Sequence, residues 1–293
     1  MSIRRAAGLL VVVGLAVVLA GAQRLPRVGV QAGHWRVAEL PAEQSALRGD
    51  TGAQWGAIRE ADVDLRIARL VVEMLGREGV QAELLPATVP AAYSADAFVA
   101  VHAEGAPPTG RSGWKVAEAW FASDASRLLR ADVAGAYGQI TGLPEDRYGV
   151  TKDMRDYFAF DWTRFSHAVA PATPAVIVET GFLGAPMDRR TIVEHPEVAA
   201  AAIAFGIVQF LTDERRLDSA QFQPDPFFRT TVSAAAAIVR FYPDQSERIV
   251  GTLAAGTEVF AFTRRDGWAE IAVRGHQEIA GWVPVKDLAP PGG

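Results

Sequence analysis

Four side chains able to handle protons or a metal ion stand where an apolar segment gives way to a loop or opens a helix: His34, Glu60, His102 and Glu179. His34 closes "RVGVQAGH", His102 follows the apolar run Ala97 to Val101, and Glu179 lies at the end of "TPAVIVET". A core strand has no packing need for an imidazole or a carboxylate at its end. Taken singly, each has an ordinary reading: a solvated histidine after a strand, or a glutamate favoured by the helix dipole. Gathered at one edge of one sheet, they suit metal-assisted hydrolysis. Two imidazoles and a carboxylate form a three-ligand set for catalytic zinc, leaving a fourth position for water. Zinc lowers the pKa of that water from 15.7 to about 7. A further carboxylate outside the ligand set can take the released proton and pass it to a leaving amine.

The elements that must position these groups follow from periodicity. "RVGVQAGH", "VQAELLP", "ADAFVAVHA" and "TPAVIVET" read as strands. "EADVDLRIARLVVEMLGREG", with apolar Val63, Ile67, Leu70, Val71 and Met74, reads as a helix that Gly79 ends. "WKVAEAWFASDASRLLRADVAGAY" and "HPEVAAAAIAFGIVQFLTDERR" are also expected as helices. Alternating strands and helices predict an α/β fold, a mainly parallel sheet flanked by helices, with sites at the carboxyl ends of its strands.

The proline-bearing segment 217–232 is expected as a linker, and the short alternating strands of 233–290 as a small all-β barrel. Residues 1–22 carry Arg4 and Arg5, an apolar stretch from Leu9 to Leu19 and the small-residue run Ala20-Gly21-Ala22. That is the pattern of a signal peptide, with an uncleaved N-terminal membrane anchor as the second reading; either predicts an exported chain of the cell envelope or beyond. With no cysteine in the chain, any metal site uses nitrogen and oxygen ligands. A net charge of -5, with no basic cluster, gives no ground for a nucleic-acid partner. Neither a phosphate-cradling G-x-x-x-x-G-K-[ST] nor a G-x-S-x-G elbow occurs.

"QAGHW", the "RE" that opens a helix, "ADAFVAVHAEG" and "PAVIVETGFLGAPMDRR", in that order, resemble the motifs of the zinc-dependent N-acetylmuramoyl-L-alanine amidases of the amidase-3 type. The resemblance spans roughly Val28 to Asp213 within an expected catalytic domain of residues 26–216. It implies Zn2+ held by His34, Glu60 and His102, Glu179 as the catalytic carboxylate, and peptidoglycan as substrate, cut between N-acetylmuramic acid and L-alanine of the stem peptide. The chain departs from the family at Ala32 and Trp35 around the first histidine, at Asp64 where asparagine is common, and in "LLPATVPAAYS". A zinc carboxypeptidase-like peptidase and a non-catalytic wall-binding protein are the alternatives. His167, His195, Arg189 and Arg190 are expected as surface or structural residues, and the resemblance favours His102 alone over Glu104, two residues on.

The C-terminal segment resembles bacterial SH3-like domains through Val250-Gly251-Thr252-Leu253, Gly256-Thr257, Gly267-Trp268 and Gly281-Trp282-Val283. The resemblance implies a wall-binding or wall-tethering module, in which Tyr242, Trp268 and Trp282 either stack on a ligand or fill the barrel.

Overall fold

A computed structural model describes residues 24–107, 110–120, 122–215, 228–273 and 279–290. The expected leader, residues 1–22, lies outside the described residues. The larger, N-terminal part of the chain runs β1 (Arg27–Ala32), a hairpin of β2 (Gln54–Trp55) and β3 (Ile58–Arg59), α1 (Glu60–Arg77), β4 (Gln81–Leu85), β5 (Ala97–Glu104), β6 (Lys115–Glu118), α2 (Asp124–Thr141), α3 (Lys152–Arg155), β7 (Ala175–Phe182), α4 (Pro186–Arg189) and α5 (Pro196–Thr212). One sheet is built in the order β4-β1-β5-β7-β6, with every neighbour parallel except β6, which is antiparallel to β7.

β5 is apolar on both faces because both are covered. Val99, Val101 and Ala103 pack into the cluster made with α1, α2 and α5, whereas Phe98 and Ala100 pack with Tyr157, Phe160 and Val169 on the other side. The same alternation sends His102 to the second face, toward Tyr157. α1 buries Val63, Ile67, Val71 and Leu75 at the expected helical spacing. α5 begins with Pro196 at its first turn and is apolar nearly all round, as befits a helix packed between α1 and α2.

The segment 114–137, expected as one helix, is not one: Lys115–Glu118 forms β6, and α2 starts only at Asp124. Ser123 marks the true start, its hydroxyl accepting the N–H of Ser126 in a helix cap. The apolar side chains before it fit a strand period equally well, since Ala117 joins one face of the sheet and Val116 the other.

A second sheet follows, formed by β8 (Phe228–Thr231), β9 (Ala236–Arg240), β10 (Ile249–Ala254), β11 (Glu258–Arg265), β12 (Trp268–Val273) and β13 (Ala280–Pro284). All its pairings are antiparallel, in the order β10-β9-β13-β12-β11-β8. Phe228–Thr231, inside the expected linker, is instead an edge strand paired with β11; residues 216–227 lie outside the described set. Trp268 and Trp282 are buried in this sheet, which accounts for both without a ligand.

Candidate metal and proton-transfer site

β1 ends at Ala32, and the chain leaves the sheet through Gly33 and His34, the latter in the left-handed region at φ 57°. Non-glycine residues rarely sit there, and those that do cluster at functional sites. The Nδ1 of His34 is 2.8 Å from the Asp50 carbonyl oxygen. A carbonyl only accepts, so Nδ1 carries the proton and Nε2 presents its lone pair. That nitrogen lies 3.3 Å from Oε1 of Glu60.

The tautomer of His102 follows from a longer chain of bonds. Gln31 donates to the Ala87 carbonyl at 2.8 Å, leaving its amide oxygen to accept the Tyr157 hydroxyl at 2.8 Å. With its one proton so placed, the Tyr157 oxygen accepts from His102 Nε2 at 3.0 Å. Nδ1 of His102 is then a lone pair, and it faces the same Glu60 Oε1 at 3.1 Å. The Glu60 carboxylate is itself fixed by the Ala53 N–H on Oε2 at 2.6 Å and the Ala103 N–H on Oε1 at 3.3 Å.

Two imidazole lone pairs therefore meet one carboxylate oxygen, an arrangement of acceptors alone that requires a cation among them. One ligand atom from each of His34, Glu60 and His102 lies within 4.8 Å of the others. Without a metal, a proton fills this role. Burial works against a charged His34, but its hydrogen bond to Glu60 and the charges of Glu60 and Asp50 prevail and raise it to about 9. Burial likewise opposes the Glu60 anion, yet His102 and His34 hold it well below the usual carboxylate range. Nitrogen and oxygen donors in this number suit zinc.

Glycine makes the convergence sterically possible. A Cβ on Gly33 would come within 2.5 Å of the His102 ring, and one on Gly52, at φ 77°, within 2.7 Å of His34. The two rings meet edge to face with centroids 4.9 Å apart.

Glu179 is the register partner of His102 across the β5–β7 pairing, and Lys115 is the partner of Glu179 across β7–β6. Glu179 Oε2 is buried and has no hydrogen-bond partner among the described residues. Burial and the Glu60 charge raise the Glu179 carboxyl to about 8, against the pull of Lys115. A carboxyl titrating near neutrality can both accept and return a proton. Lys115, 1% exposed, also pairs with Glu104 and lies 3.5 Å from Asp146. A cavity of about 410 Å3, lined in part by His34, Gln44, Asp50, His102, Asp156 and Tyr157, opens onto the two histidines.

No family model matches the chain, and no curated protein does. Solved structures do resemble it. The N-acetylmuramoyl-L-alanine amidase AmiC2 of Nostoc punctiforme matches with a TM-score of 0.45 and 21% identity, covering 64% of this chain and 98% of that one. The N-acetylmuramoyl-L-alanine amidase from Clostridium difficile 630 gives 0.45 and 16%, covering 66% and 100%. Ami1 of Mycobacterium smegmatis, also an amidase of this kind, gives 0.46 and 19%, covering 64% and 96%.

The remaining candidates from the sequence fall elsewhere. His167 pairs with Glu43 at 2.9 Å, His195 is exposed before α5 beside Glu197, and Glu104 turns to Lys115. Arg189 donates to the Leu183 carbonyl at 2.9 Å. Tyr157, Gln31 and Lys115 were not legible as site residues. Asp188 was not either: fully buried, it accepts the N–H groups of Gly113 and Phe182 at 2.8 and 2.9 Å and so ties the β7 end to the loop before β6.

Proposed function

We propose that this chain is an exported zinc-dependent peptidoglycan hydrolase cleaving the amide between N-acetylmuramic acid and L-alanine of the stem peptide. The observation that carries the metal is the convergence of the His34 and His102 lone pairs on Glu60. The choice of substrate rests on the ordered motifs around His34, Glu60, His102 and Glu179, and the exported location on the pattern of residues 1–22.

In this reading His34, Glu60 and His102 hold Zn2+, which supplies Lewis acidity toward the scissile carbonyl and an acidified water. Tyr157 and Gln31 fix the His102 tautomer so that Nδ1 is free to ligate. Glu179, beside His102, takes the proton of the attacking water and returns it to the departing L-alanine nitrogen. Lys115, across the neighbouring strand, keeps the Glu179 carboxyl from rising out of the useful range. Residues 233–290 serve as an SH3-like module that holds the enzyme near the wall.

The test is digestion of purified peptidoglycan by the chain lacking residues 1–22, with zinc, with chelator and as Glu179→Gln, with products read by mass spectrometry. Release of intact stem peptides bearing a free L-alanine amine, dependent on zinc and Glu179, is expected. Cleavage within the stem would make the enzyme a peptidase, and zinc-saturated protein that binds wall without cutting it would make it a binding protein.

A further inference from the structure

Tyr157, whose hydroxyl fixes the His102 tautomer, sits on a segment with little regular structure of its own. Between Arg147 and Phe160 the chain makes one 3-10 turn (Arg147–Gly149), the four residues of α3 and a second 3-10 turn (Phe158–Phe160). A single helical turn does not hold itself, because ordering its backbone costs more than its first hydrogen bond returns. The place of Tyr157 is therefore set by what the segment packs against, and it packs against both sheets.

One side faces the histidines. Tyr157 bridges His102 and Gln31 at 3.0 and 2.8 Å, and its ring packs on Phe158 and Phe160. The other side is held by the second sheet. Arg147 pairs with Glu247, and the Tyr148 hydroxyl donates to the other oxygen of Glu247 at 2.8 Å, its ring edge-on to Phe241 at 5.2 Å. Arg155 pairs with Glu270 of β12, which is fully buried, and its guanidinium lies 4.2 Å from the centre of the Trp120 ring. Trp120 in turn stacks on Phe262 of β11, with centroids 5.3 Å apart and planes 20° from parallel. The Arg155 Nε also donates to the Glu118 carbonyl at 3.3 Å, so the guanidinium is tied to β6 and β12 at once.

Arg155 and Tyr157 are two residues apart, a stretch of chain that spans at most about 7 Å and has no slack to absorb a shift of the guanidinium. The bond at the far end is sensitive. A hydrogen bond of 3.0 Å is gone by about 3.6 Å, so a displacement of roughly 0.6 Å removes it.

We propose that the second sheet completes the site at the histidines: Arg155, anchored by Glu270, is a positioning residue that keeps the Tyr157 hydroxyl on Nε2 of His102 and so leaves Nδ1 free to ligate. The C-terminal module then sets metal affinity, a role separate from holding the wall. The effect on metal rests on His102 being a ligand; the effect on the Tyr157–His102 bond does not.

The experiment uses the chain lacking residues 1–22 and reads two quantities: zinc affinity by competitive chelator titration, and the Nε2–H resonance of His102 in chelated protein by nitrogen-edited NMR. Glu270→Gln keeps size and burial and removes the charge that holds Arg155. It should lower zinc affinity about tenfold, the scale for losing the partner that orients a ligating histidine, and should free Nε2–H to exchange with water so that its resonance is lost. Arg155→Met with Glu270→Leu refills the buried space with apolar groups and should do the same in a chain close to the parent in stability. In a Tyr157→Phe background, Glu270→Gln should cost nothing further, since the bond it acts through is already gone. Val283→Ala loosens the core of the same sheet away from the ion pair and should leave both readings at the parent's values. Additive losses in Tyr157→Phe and Glu270→Gln, an equal loss in Val283→Ala, or a retained resonance with parent-level affinity in both ion-pair variants would each overturn the proposal. A parent that binds no zinc, with the resonance still lost in Glu270→Gln, would strike the ligand assignment and uphold the positioning role.

Discussion

Glu179 and His102 face each other in register on neighbouring parallel strands, and both point to the sheet face covered by Tyr157. In the proposed reading this pairing places a proton acceptor beside a metal ligand without making it one. Replacing Glu179 by Gln keeps size and burial while removing the base. Turnover on peptidoglycan is expected to fall by roughly 100- to 10,000-fold, with zinc content unchanged; loss of zinc along with activity would assign Glu179 to the ligand set.

Tyr157→Phe removes the hydroxyl that links His102 to Gln31 and keeps the ring that packs against Phe158 and Phe160. Losing the partner that orients a ligating histidine costs roughly 10- to 100-fold in metal affinity. Competitive chelator titration should show that drop with an unchanged circular dichroism spectrum. Equal affinity in the variant would remove Tyr157 from the account of the tautomer.

The metal-free protein should lose stability as pH rises. Glu179 goes from its ordinary 4.5 to about 8 in the fold, so between those values the folded state binds the extra proton and the unfolded state does not. His34, raised from 6.5 to about 9, stabilises fully below 6.5 and ceases to do so as pH passes through about 9. Melting of chelated protein should therefore drop across this window, and Glu179→Gln should flatten its lower part. A melting temperature that climbs from pH 5 to pH 9 would contradict the shifts.

Asp64, one turn after Glu60 on α1, is fully buried, and neither carboxylate oxygen has a partner among the described residues. Burial first, then the charges of Glu60 and Glu179, push its carboxyl well above the ordinary range. Its ionisation opposes folding as pH rises, so Asp64→Asn should be more stable than the parent at pH 8 in the chelated state, with the difference shrinking toward pH 3. Thermal melts at the two pH values check this.

Arg155 joins α3 to the second sheet through Glu270, which is fully buried, and lies over the Trp120 ring at 4.2 Å. Removing one partner of a buried ion pair leaves the other charge stranded, at a cost of roughly 3–5 kcal/mol. Arg155→Met should be destabilised on that scale, and Arg155→Met with Glu270→Leu should recover most of it. A double variant as unstable as the single one would show that the contact is held by packing around it instead.

The parallel core was readable because β1, β5 and β7 are apolar on both faces and α1 repeats at helical spacing. His34, Glu60, His102 and Glu179 were readable because polar residues at the ends of such elements have no packing role there. β6 was hidden because "KVAE" is too short for its period to separate strand from helix, and with it went Lys115, whose burial depends on Glu104 and Asp146 from distant segments. Tyr157 and Gln31 were hidden for a similar reason. They are 126 positions apart, and only folding brings the hydroxyl to the amide.

Zinc titration by calorimetry, with elemental analysis, decides whether His34, Glu60 and His102 hold one metal ion. One zinc per chain is expected in the parent and in Glu179→Gln, and none retained by Glu60→Gln or His102→Ala after desalting. Zinc bound equally by Glu60→Gln, or no zinc bound by a folded parent, would contradict it.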